Sequence, residues 1–281
     1  MQWLWKMHNN EYGGALLADD MGVGKTVQVC AFLQSLYDRD ELSSCLIICS
    51  NSVMGVWETT LRDWTGKWML GEALFSNSPF PDITFIRVHS LTKQEMENIR
   101  YRVRDEFHVL ITTYGTMKTN IEYFSTMWSE YEELKERTGG KWDYVILDEG
   151  HKIKNSESQT SILLREIKAH HRVVASGTPL QNNLGEIWSI MDWLCDGNLL
   201  GDKKEFTKNF QNPIERGQDR GADELTRIFG EEMARKLSEI IYGVTIRREK
   251  MSVLKNIETL KIGKKTEIVL WVYVLNTNTY Y

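Results

Sequence analysis

Short, almost entirely apolar runs recur along the chain, and amphipathic stretches separate them. Most of these runs are apolar at consecutive positions, which is typical of parallel strands that helices cover on both faces. They lie at 14–18, 45–49, 83–88, 108–113, 144–148 and 172–176. The stretches with the apolar spacing of a helix lie at 25–38, 53–64, 156–168 and 184–194. Strand and helix in alternation predict an α/β domain with a mostly parallel sheet flanked by helices.

From residue 196 onward the pattern changes. Residues 196–246 have helical spacing at 202–210 and 222–242, with a polar, glycine-containing link at 212–221 and no convincing strand. This pattern predicts a helical protrusion on a sheet domain that occupies residues 1–195.

The last segment, 247–281, begins with the basic run RREK and contains one further strand-like run at 266–275. A single strand there has no partner in its own neighbourhood. It therefore either joins the first sheet or opens a further domain.

The composition is that of a soluble globular protein, with 42% apolar, 26% charged and 11% aromatic residues. No apolar run approaches the roughly 18 to 20 residues of a membrane-spanning helix, and the N-terminal residues lack the long apolar region of a signal peptide. We therefore expect a soluble, intracellular protein with no membrane partner.

The charge balance excludes a basic coat for nucleic acid. The chain has 34 Lys and Arg against 39 Asp and Glu, which gives a net charge of −5. A protein that covers nucleic acid non-specifically is usually basic, so any contact with nucleic acid has to be local.

The cysteines and a histidine pair predict no metal site. The 4 cysteines form no C-x-x-C pair. Because Cys45 and Cys49 lie inside an apolar run, we expect small buried thiols rather than a disulfide framework or a zinc site. His170 and His171 have no third ligand at metal spacing, and they predict a surface turn before a strand.

A glycine-rich loop, DDMGVGKT, follows the first apolar run and opens the first amphipathic stretch. A phosphate-binding loop requires this strand–loop–helix context. Gly22 and Gly24 would let backbone N–H groups turn towards phosphates. Lys25 would reach the β- and γ-phosphates, and Thr26 would bind Mg²⁺. The loop has Asp19 where the general pattern has glycine, and the alternative is a glycine-rich turn before a surface helix. The predicted nucleotide contacts are Asp20, Met21, Gly22, Val23, Gly24, Lys25 and Thr26.

Two adjacent carboxylates, Asp148 and Glu149, end another apolar run in the sequence VILDEGH. They should lie at the C-terminal edge of the sheet, beside the phosphate loop. Asp148 would hold Mg²⁺, and Glu149 would polarise the attacking water. Acidic residues also cap helices often, so this pair on its own would equally fit the start of a helix.

Small hydroxylated residues and amides follow the last of the six runs, in the sequence ASGTPLQNN at 175–183. Ser176 and Thr178 could sense the γ-phosphate and relay its loss. A simple turn with a helix cap before Leu184 is the alternative.

These three segments resemble motifs I, II and III of the SWI/SNF-type DNA translocases in helicase superfamily two. The segments at 46–64 and 109–117 resemble motifs Ia and Ib of the same family. The segment at 186–217 resembles the Cockayne-syndrome-B-related group and, within it, the excision-repair-like branch. The resemblance implies a RecA-like lobe that hydrolyses ATP with Mg²⁺. It also implies tracking along double-stranded DNA, in chromatin remodelling or DNA repair in the nucleus.

The resemblance assigns roles to individual residues. Lys25, Asp148 and Glu149 would be catalytic. Thr26 and Asp148 would bind Mg²⁺. His151 would belong to the nucleotide-binding site and couple it to motif III. The coupling loop would consist of Ser176, Gly177 and Thr178. The residues that would contact the phosphate backbone of one DNA strand are Ser50, Ser52, Thr112, Thr113 and Tyr114.

A narrow track of this kind fits the acidic composition, because hydroxyl and backbone N–H groups contact DNA phosphates without a basic surface. Lys152, Lys154 and Arg172 would add local positive charge, although each could equally be an ordinary solvated charge. The family accepts Asp at the position of Asp19.

The family also has a second RecA-like lobe, which supplies arginine fingers. The run at 266–275 resembles only the opening strand of that lobe. An arginine finger is typically worth about 10³ to 10⁵ in rate, so we expect the isolated chain to bind nucleotide weakly and to hydrolyse it negligibly. The alternative is a truncated, non-catalytic interaction protein that binds nucleotide or DNA.

Overall fold

The computed structural model describes residues 1–65, 69–70, 84–89, 91–102, 108–130, 132–177 and 183–250. Its strands are β1 (Gly14–Leu17), β2 (Ser44–Cys49), β3 (Met69–Leu70), β4 (Thr84–Val88), β5 (His108–Thr113), β6 (Trp142–Asp148), β7 (Ala169–Ala175) and β8 (Thr245–Ile246). Its α-helices are α1 (Gln2–His8), α2 (Lys25–Tyr37), α3 (Asn51–Thr65), α4 (Lys93–Arg102), α5 (Tyr114–Thr119), α6 (Ile121–Thr126), α7 (Glu132–Thr138), α8 (Gln159–Leu164), α9 (Leu184–Leu194), α10 (Lys203–Phe206), α11 (Asn212–Gly217) and α12 (Glu224–Gly243). The strand-like run at 266–275 lies outside the described residues.

Every strand pairing in the described residues is parallel, as the continuous apolar runs predict. The eight strands have the order β3-β4-β5-β2-β6-β7-β1-β8. Parallel neighbours need crossover connections, which the helices between the strands supply. The predicted α/β fold class is therefore confirmed. β7 lies between β1 and β6, so the strand before the glycine-rich loop does not pair with the strand that ends in Asp148.

Two hydrophobic clusters cover the two faces of the sheet. In β2, Leu46 and Ile48 belong to one cluster, and Cys45 and Ile47 belong to the other. Successive side chains of a strand point to opposite faces, so one apolar run supplies both clusters. Burial of each such Leu or Ile side chain stabilises the fold by about 1.5 to 3 kcal/mol. Residues of α1, α2 and α3 complete the second cluster, and residues of α5, α6, α9 and α12 complete the first.

The buried thiols that the sequence predicts are confirmed. Cys30, Cys45, Cys49 and Cys195 are all buried and free. Burial raises the pKa of the Cys30, Cys49 and Cys195 thiols to about 12, so these thiols stay protonated and unreactive at neutral pH.

The chain after residue 196 is largely helical, but two predicted details of it are wrong. The polar stretch at 212–221, predicted as a link, begins with α11. α11 continues directly from α10 through the π-helical turn Thr207–Gln211, and Pro213, which has no N–H to donate, follows that turn. The second error is β8, which pairs with β1; the N–H of Leu16 donates to the carbonyl of Val244 at 2.8 Å. Two residues are too few for a strand pattern to show in the sequence.

The helices after residue 196 share a core with the sheet. Phe206 in α10, Ile214 in α11 and Leu237 in α12 belong to the same hydrophobic cluster as the apolar residues of the first sheet face. In the part of the chain that the structure describes, no helix is long and apolar enough to cross a membrane.

Two other local predictions are also wrong. The helix predicted at 156–168 is shorter, because Ser158 begins it by accepting a hydrogen bond from the N–H of Ser161 at 3.2 Å. His170 and His171 lie inside β7 rather than in a turn, since β7 begins at Ala169.

Candidate nucleotide-binding site

The three segments with predicted chemistry meet at the C-terminal edge of the sheet, where backbone hydrogen bonds join the strand ends. The N–H of Ser176, after β7, donates to the carbonyl of Leu17 at the end of β1, at 2.9 Å. The N–H of Glu149, after β6, donates to the carbonyl of Ala175 at the end of β7, also at 2.9 Å. The loop after β1, the carboxylates after β6 and the Ser-Gly segment after β7 are therefore neighbours in space.

The loop after β1 has the backbone that binding of phosphate requires. Gly22 and Gly24 have φ angles of 84° and 85°, a region that other residues rarely adopt. Gly24 is the residue directly before α2, and an added Cβ there would meet nothing within 4 Å. The N-terminus of the 13-residue helix α2 therefore faces an open loop. The helix dipole favours an anion at this end of the helix.

Lys25, the first residue of α2, is folded back over the loop. Its Nζ donates to the backbone carbonyls of Asp19 at 2.7 Å and Asp20 at 3.0 Å. Burial lowers the pKa of this ammonium group, and the carboxylates of Asp19, Asp148 and Asp20 oppose that shift. The ammonium group thus rests on neutral carbonyls, within the electrostatic reach of Asp148.

The remaining loop residues predicted to contact nucleotide face solvent to different degrees. The side chain of Met21 is the most open, with 78% of its surface exposed. Gly22 is exposed, and Asp20, Val23 and Thr26 are half-buried. The loop therefore presents an accessible backbone and side-chain surface.

Asp148 is the last residue of β6 and Glu149 follows it, as predicted. The N–H of Glu149 donates to Oδ1 of Asp148 at 2.9 Å, and the indole N–H of Trp57 in α3 donates to Oδ2 at 2.8 Å. Burial raises the pKa of Asp148, and these two donors oppose the shift. Glu149 has a φ of 63°, a left-handed conformation that is uncommon for a residue with a side chain.

Gly150, directly after this pair, packs close to β7. An added Cβ on Gly150 would lie 2.3 Å from Cγ1 of Val174, so only glycine fits there without a shift of the strand side chain. His151 follows in a single 3₁₀ turn, Gly150–Ile153, and is half-buried.

The Ser-Gly segment after β7 contacts the phosphate loop. Ser176 is buried. An added Cβ on Gly177 would lie 2.7 Å from Cγ of Met21 and 3.4 Å from Nζ of Lys25. Thr178, the third residue predicted for the coupling loop, lies outside the described residues. The helix cap proposed as an alternative is also present, because the side chain of Asn183 accepts hydrogen bonds from backbone N–H groups at the start of α9.

The unusual Asp19 of the loop forms an ion pair with Arg248, which sequence reasoning missed. Asp19 is fully buried. The Nε of Arg248 lies 3.1 Å and 3.2 Å from the two carboxylate oxygens, and its Nη2 also donates to the carboxylate. The backbone around both residues is joined as well, because the N–H of Asp20 donates to the carbonyl of Arg248 at 3.1 Å. The basic run at 247–250 was visible in the sequence, but its partner was not.

A cavity of about 380 Å³ lies between α1, the start of α2 and this ion pair. Gln2, Trp3, Gln28 and Arg248 are among the residues that line it. The amide of Gln28 is occupied, since its Oε1 accepts from Arg248 at 2.5 Å and its Nε2 donates to the carbonyl of Val23 at 3.3 Å.

The predicted DNA contacts divide into accessible and buried side chains. Ser52 is exposed and Ser50 is half-buried, with their hydroxyls 2.9 Å apart at the start of α3. Thr112 is fully buried, and its hydroxyl donates to the carbonyl of Val88 at 2.8 Å, so a contact between this side chain and DNA does not fit the structure.

The two residues that follow Thr112 are also enclosed. The hydroxyl of Thr113 caps α5 by accepting from the N–H of Thr116 at 3.1 Å. Tyr114 is 8% exposed, and its hydroxyl donates to the carbonyl of Asp148 at 2.6 Å. The Tyr114 side chain therefore belongs to the interior of the candidate site and not to a DNA-facing surface.

The three basic residues suggested for the DNA track also differ in how accessible their side chains are. Lys152 is exposed, and Lys154 lies 3.4 Å from a carboxylate oxygen of Glu186. Arg172 is only 3% exposed and donates to Asp196 at 2.7 Å. The suggestion that Arg172 contacts DNA is therefore wrong, because its charge is used inside the fold.

The donors present fit a magnesium–nucleotide complex. Mg²⁺ prefers oxygen ligands and usually keeps several waters, with one or two protein ligands and the phosphates completing its shell. Thr26 supplies a hydroxyl at the start of α2, and Asp148 supplies a carboxylate at the end of β6. The left-handed glycines and the Lys25 ammonium group would form the matching anion site.

Comparison with known proteins identifies relatives along nearly the whole chain. Protein CHROMATIN REMODELING 24 of Arabidopsis thaliana is 34% identical over 272 residues, which cover 96% of this chain and 23% of that protein. DNA excision repair protein ERCC-6-like of Homo sapiens is 30% identical over 290 residues, which cover 96% of this chain and 21% of that protein. The chain therefore spans less than a quarter of the length of these two relatives.

A solved structure, the Sulfolobus solfataricus SWI2/SNF2 ATPase core in complex with dsDNA, has a TM-score of 0.58 and 25% identity. The match covers 89% of this chain and 43% of that one. These similarities confirm the RecA-like fold and the resemblance to SWI/SNF-type proteins of the excision-repair-like branch. The SNF2-related domain model matches residues 1–278, and the chain belongs to that family.

Proposed function

We propose that this chain is the ATP-binding lobe of an ATP-dependent double-stranded DNA translocase that acts in chromatin remodelling or DNA repair in the nucleus. The observation that carries the proposal is the junction of the ends of β1, β7 and β6, which brings Lys25, Asp148 and Ser176 to one edge. The names of the relatives, which refer to chromatin remodelling and excision repair, support the biological setting. The dsDNA complex of the structural neighbour supports DNA as the partner.

Lys25 is the residue that would change most when ATP binds. Its ammonium group rests on two backbone carbonyls, and these are weaker partners than phosphate oxygens. We infer that the group moves from these carbonyls to the β- and γ-phosphates. The N–H groups at the start of α2 would hold the same phosphates.

Asp148 and Glu149 would divide the hydrolytic work. Thr26 and Asp148 would hold Mg²⁺, which supplies neutralisation of the phosphate charge when bound. Glu149 would orient the attacking water and accept its proton. Because the backbone of Glu149 is left-handed, its side chain does not follow the alternation of side chains in β6. This conformation suits a group that must face the γ-phosphate.

The Ser176–Thr178 segment would report loss of the γ-phosphate. Gly177 supports this role, because it lies against both Met21 and Lys25 of the phosphate loop. His151 would link that segment to the carboxylates. Ser50 and Ser52 would contact the DNA backbone at the start of α3, and Thr113, the last residue of β5, would do so through its own backbone.

The division of the chain also belongs to this proposal. Residues 1–195 would form the ATP-binding lobe, and residues 196–246 would form a protrusion whose helices pack on its core. Residues 247–281 would form the hinge and the opening of the second RecA-like lobe, beginning with the Arg248 contact to the phosphate loop.

Titration calorimetry with Mg²⁺·ATP tests the nucleotide site. Replacement of Lys25 by Ala should weaken binding by about 10-fold to 100-fold, because a charge-assisted contact is worth about 1.5 to 3 kcal/mol. Lys203→Ala is the matched control, since Lys203 is exposed and pairs with Glu157. Absence of binding by the unaltered chain, or equal binding by Lys25→Ala, would refute the site. Duplex-stimulated ATP turnover, measured with and without a supplied second RecA-like lobe, then tests the translocase class, because the chain alone is expected to hydrolyse ATP negligibly.

A further inference from the structure

Asp148 is held from two directions by buried aromatic side chains. The indole N–H of Trp57 donates to its carboxylate oxygen Oδ2 at 2.8 Å. The phenol O–H of Tyr114 donates to its backbone carbonyl at 2.6 Å. Trp57 is fully buried and Tyr114 nearly so, so water cannot readily replace either donor.

These two aromatic residues come from the two segments that are proposed to contact DNA. Trp57 lies in α3, five residues after the exposed Ser52. Tyr114 is the first residue of α5 and directly follows Thr113. Each segment therefore has a proposed DNA contact at one end and a hydrogen bond to Asp148 within a turn or two of helix.

We propose that Trp57 and Tyr114 are positioning residues that couple contact with double-stranded DNA to the orientation of Asp148. This inference rests on the proposed function. A movement of α3 on the DNA backbone shifts the donor to the Asp148 carboxylate, and a movement of α5 shifts the donor to the Asp148 backbone carbonyl. Asp148 has to follow in either case, because an unpaired polar group in the interior is costly. DNA and the magnesium–nucleotide complex thus favour one shared arrangement of Asp148.

Coupling of this kind is reciprocal, so it can be measured by binding alone. If nucleotide orients Asp148 in the arrangement that DNA also favours, nucleotide must tighten DNA binding by the factor with which DNA tightens nucleotide binding. The ratio of the two DNA dissociation constants, without and with nucleotide, is that factor. It requires no turnover.

The experiment measures the affinity of the chain for a fluorescent DNA duplex by anisotropy, with and without saturating Mg²⁺·ADP. For the unaltered chain we expect a ratio of about 5 or more, the lower end of typical coupling between sites. Trp57→Phe and Tyr114→Phe remove one donor each and keep an aromatic ring. Each should bring the ratio below about 2, while thermal melts show a folded protein.

The chain offers a matched control for each substitution. Trp128 and Tyr123 are also buried aromatic residues, but their indole N–H and hydroxyl have no hydrogen-bond partner within the described part of the chain. Trp128→Phe and Tyr123→Phe therefore repeat the change in packing without removing a bond. Both controls should keep the ratio of the unaltered chain.

The outcomes separate this inference from the proposed function. If the unaltered chain binds neither nucleotide nor duplex, the proposed function fails and the coupling fails with it. If it binds both but the ratio is 1, or if Trp57→Phe and Tyr114→Phe keep the ratio, only the coupling is overturned. Should Trp57→Phe not fold, Tyr114→Phe decides alone, because it removes a single oxygen atom.

Discussion

The carboxylate of Asp19 and the guanidinium of Arg248 form an ion pair that joins the phosphate loop to the chain after β8. Asp19 is fully buried, and it also accepts from the backbone N–H of Arg248 at 2.8 Å. Hydrogen bonds to Asp19 raise the pKa of the Arg248 guanidinium, so this group remains charged. Glycine, usual at the Asp19 position of phosphate loops, could not make this connection.

Replacement of Arg248 by Ala should lower the free energy of unfolding by about 3 kcal/mol, because it leaves a buried carboxylate without its counter-charge. Urea denaturation measures the change. Arg235→Ala is the control, since Arg235 pairs with Glu232 and Glu239 on the surface of α12. Exposed pairs are worth about 0 to 1 kcal/mol. Similar losses for both variants would contradict a structural role for the Asp19–Arg248 pair.

The close contact between Gly150 and Val174 leads to a second prediction about the free energy of unfolding. Gly150→Ala should cost about 1 to 3 kcal/mol, because its Cβ would lie 2.3 Å from the stiff Val174 side chain. Val174→Ala should relieve that clash, so the double variant should lose at least about 0.5 kcal/mol less than the sum of the single losses. Additive losses in urea denaturation would show that no clash exists.

The strand pattern and the phosphate loop could be predicted because they depend on local sequence. Continuous apolar runs require burial on both faces, and this alone fixes parallel strands with helices on each side. Gly22, Gly24 and Lys25 lie within eight consecutive residues, DDMGVGKT, so the left-handed glycines before a helix could be predicted from this short segment. The position of the Asp148 and Glu149 carboxylates could be predicted once the end of the preceding strand was known.

The contacts around these residues could not be predicted, because they join distant parts of the chain. The sequence shows that Trp57 and Tyr114 suit a core, but not that both donate to Asp148. Thr112 has a hydroxyl that could contact DNA. Only the structure shows that this hydroxyl donates instead to the backbone carbonyl of Val88. Arg248 lies in a basic run of the sequence. Its contact with the buried Asp19 could not be predicted, because it forms only where the chain returns to the sheet as β8.

The packing of Gly177 against Met21 predicts an effect on nucleotide binding with little effect on stability. The Cβ of Gly177→Ala would push on the Met21 side chain, which is exposed and can move, and would approach the Lys25 ammonium group. We expect Mg²⁺·ATP affinity to fall by about 5-fold, or about 1 kcal/mol. Met21→Ala in the same chain should restore most of it in calorimetry. Failure of that restoration would mean that Gly177 acts through another contact.

The buried His171 should make the free energy of unfolding sensitive to acid. Burial, followed by the nearby His8 and His170, lowers its pKa from 6.5 to about 4. Its ring stacks on Tyr144 at 4.8 Å between centroids. The unfolded chain therefore binds a proton between pH 6.5 and 4 that the folded chain does not, so stability falls as the pH falls through this window, by about 2 to 3 kcal/mol. His171→Phe should remove that part of the loss in urea denaturation at pH 7 and pH 4.5. His170→Phe, at an exposed neighbour, removes only the smallest of the three causes of the lowered pKa and should therefore keep most of the loss. An equal pH dependence in all three proteins would assign the loss to other groups.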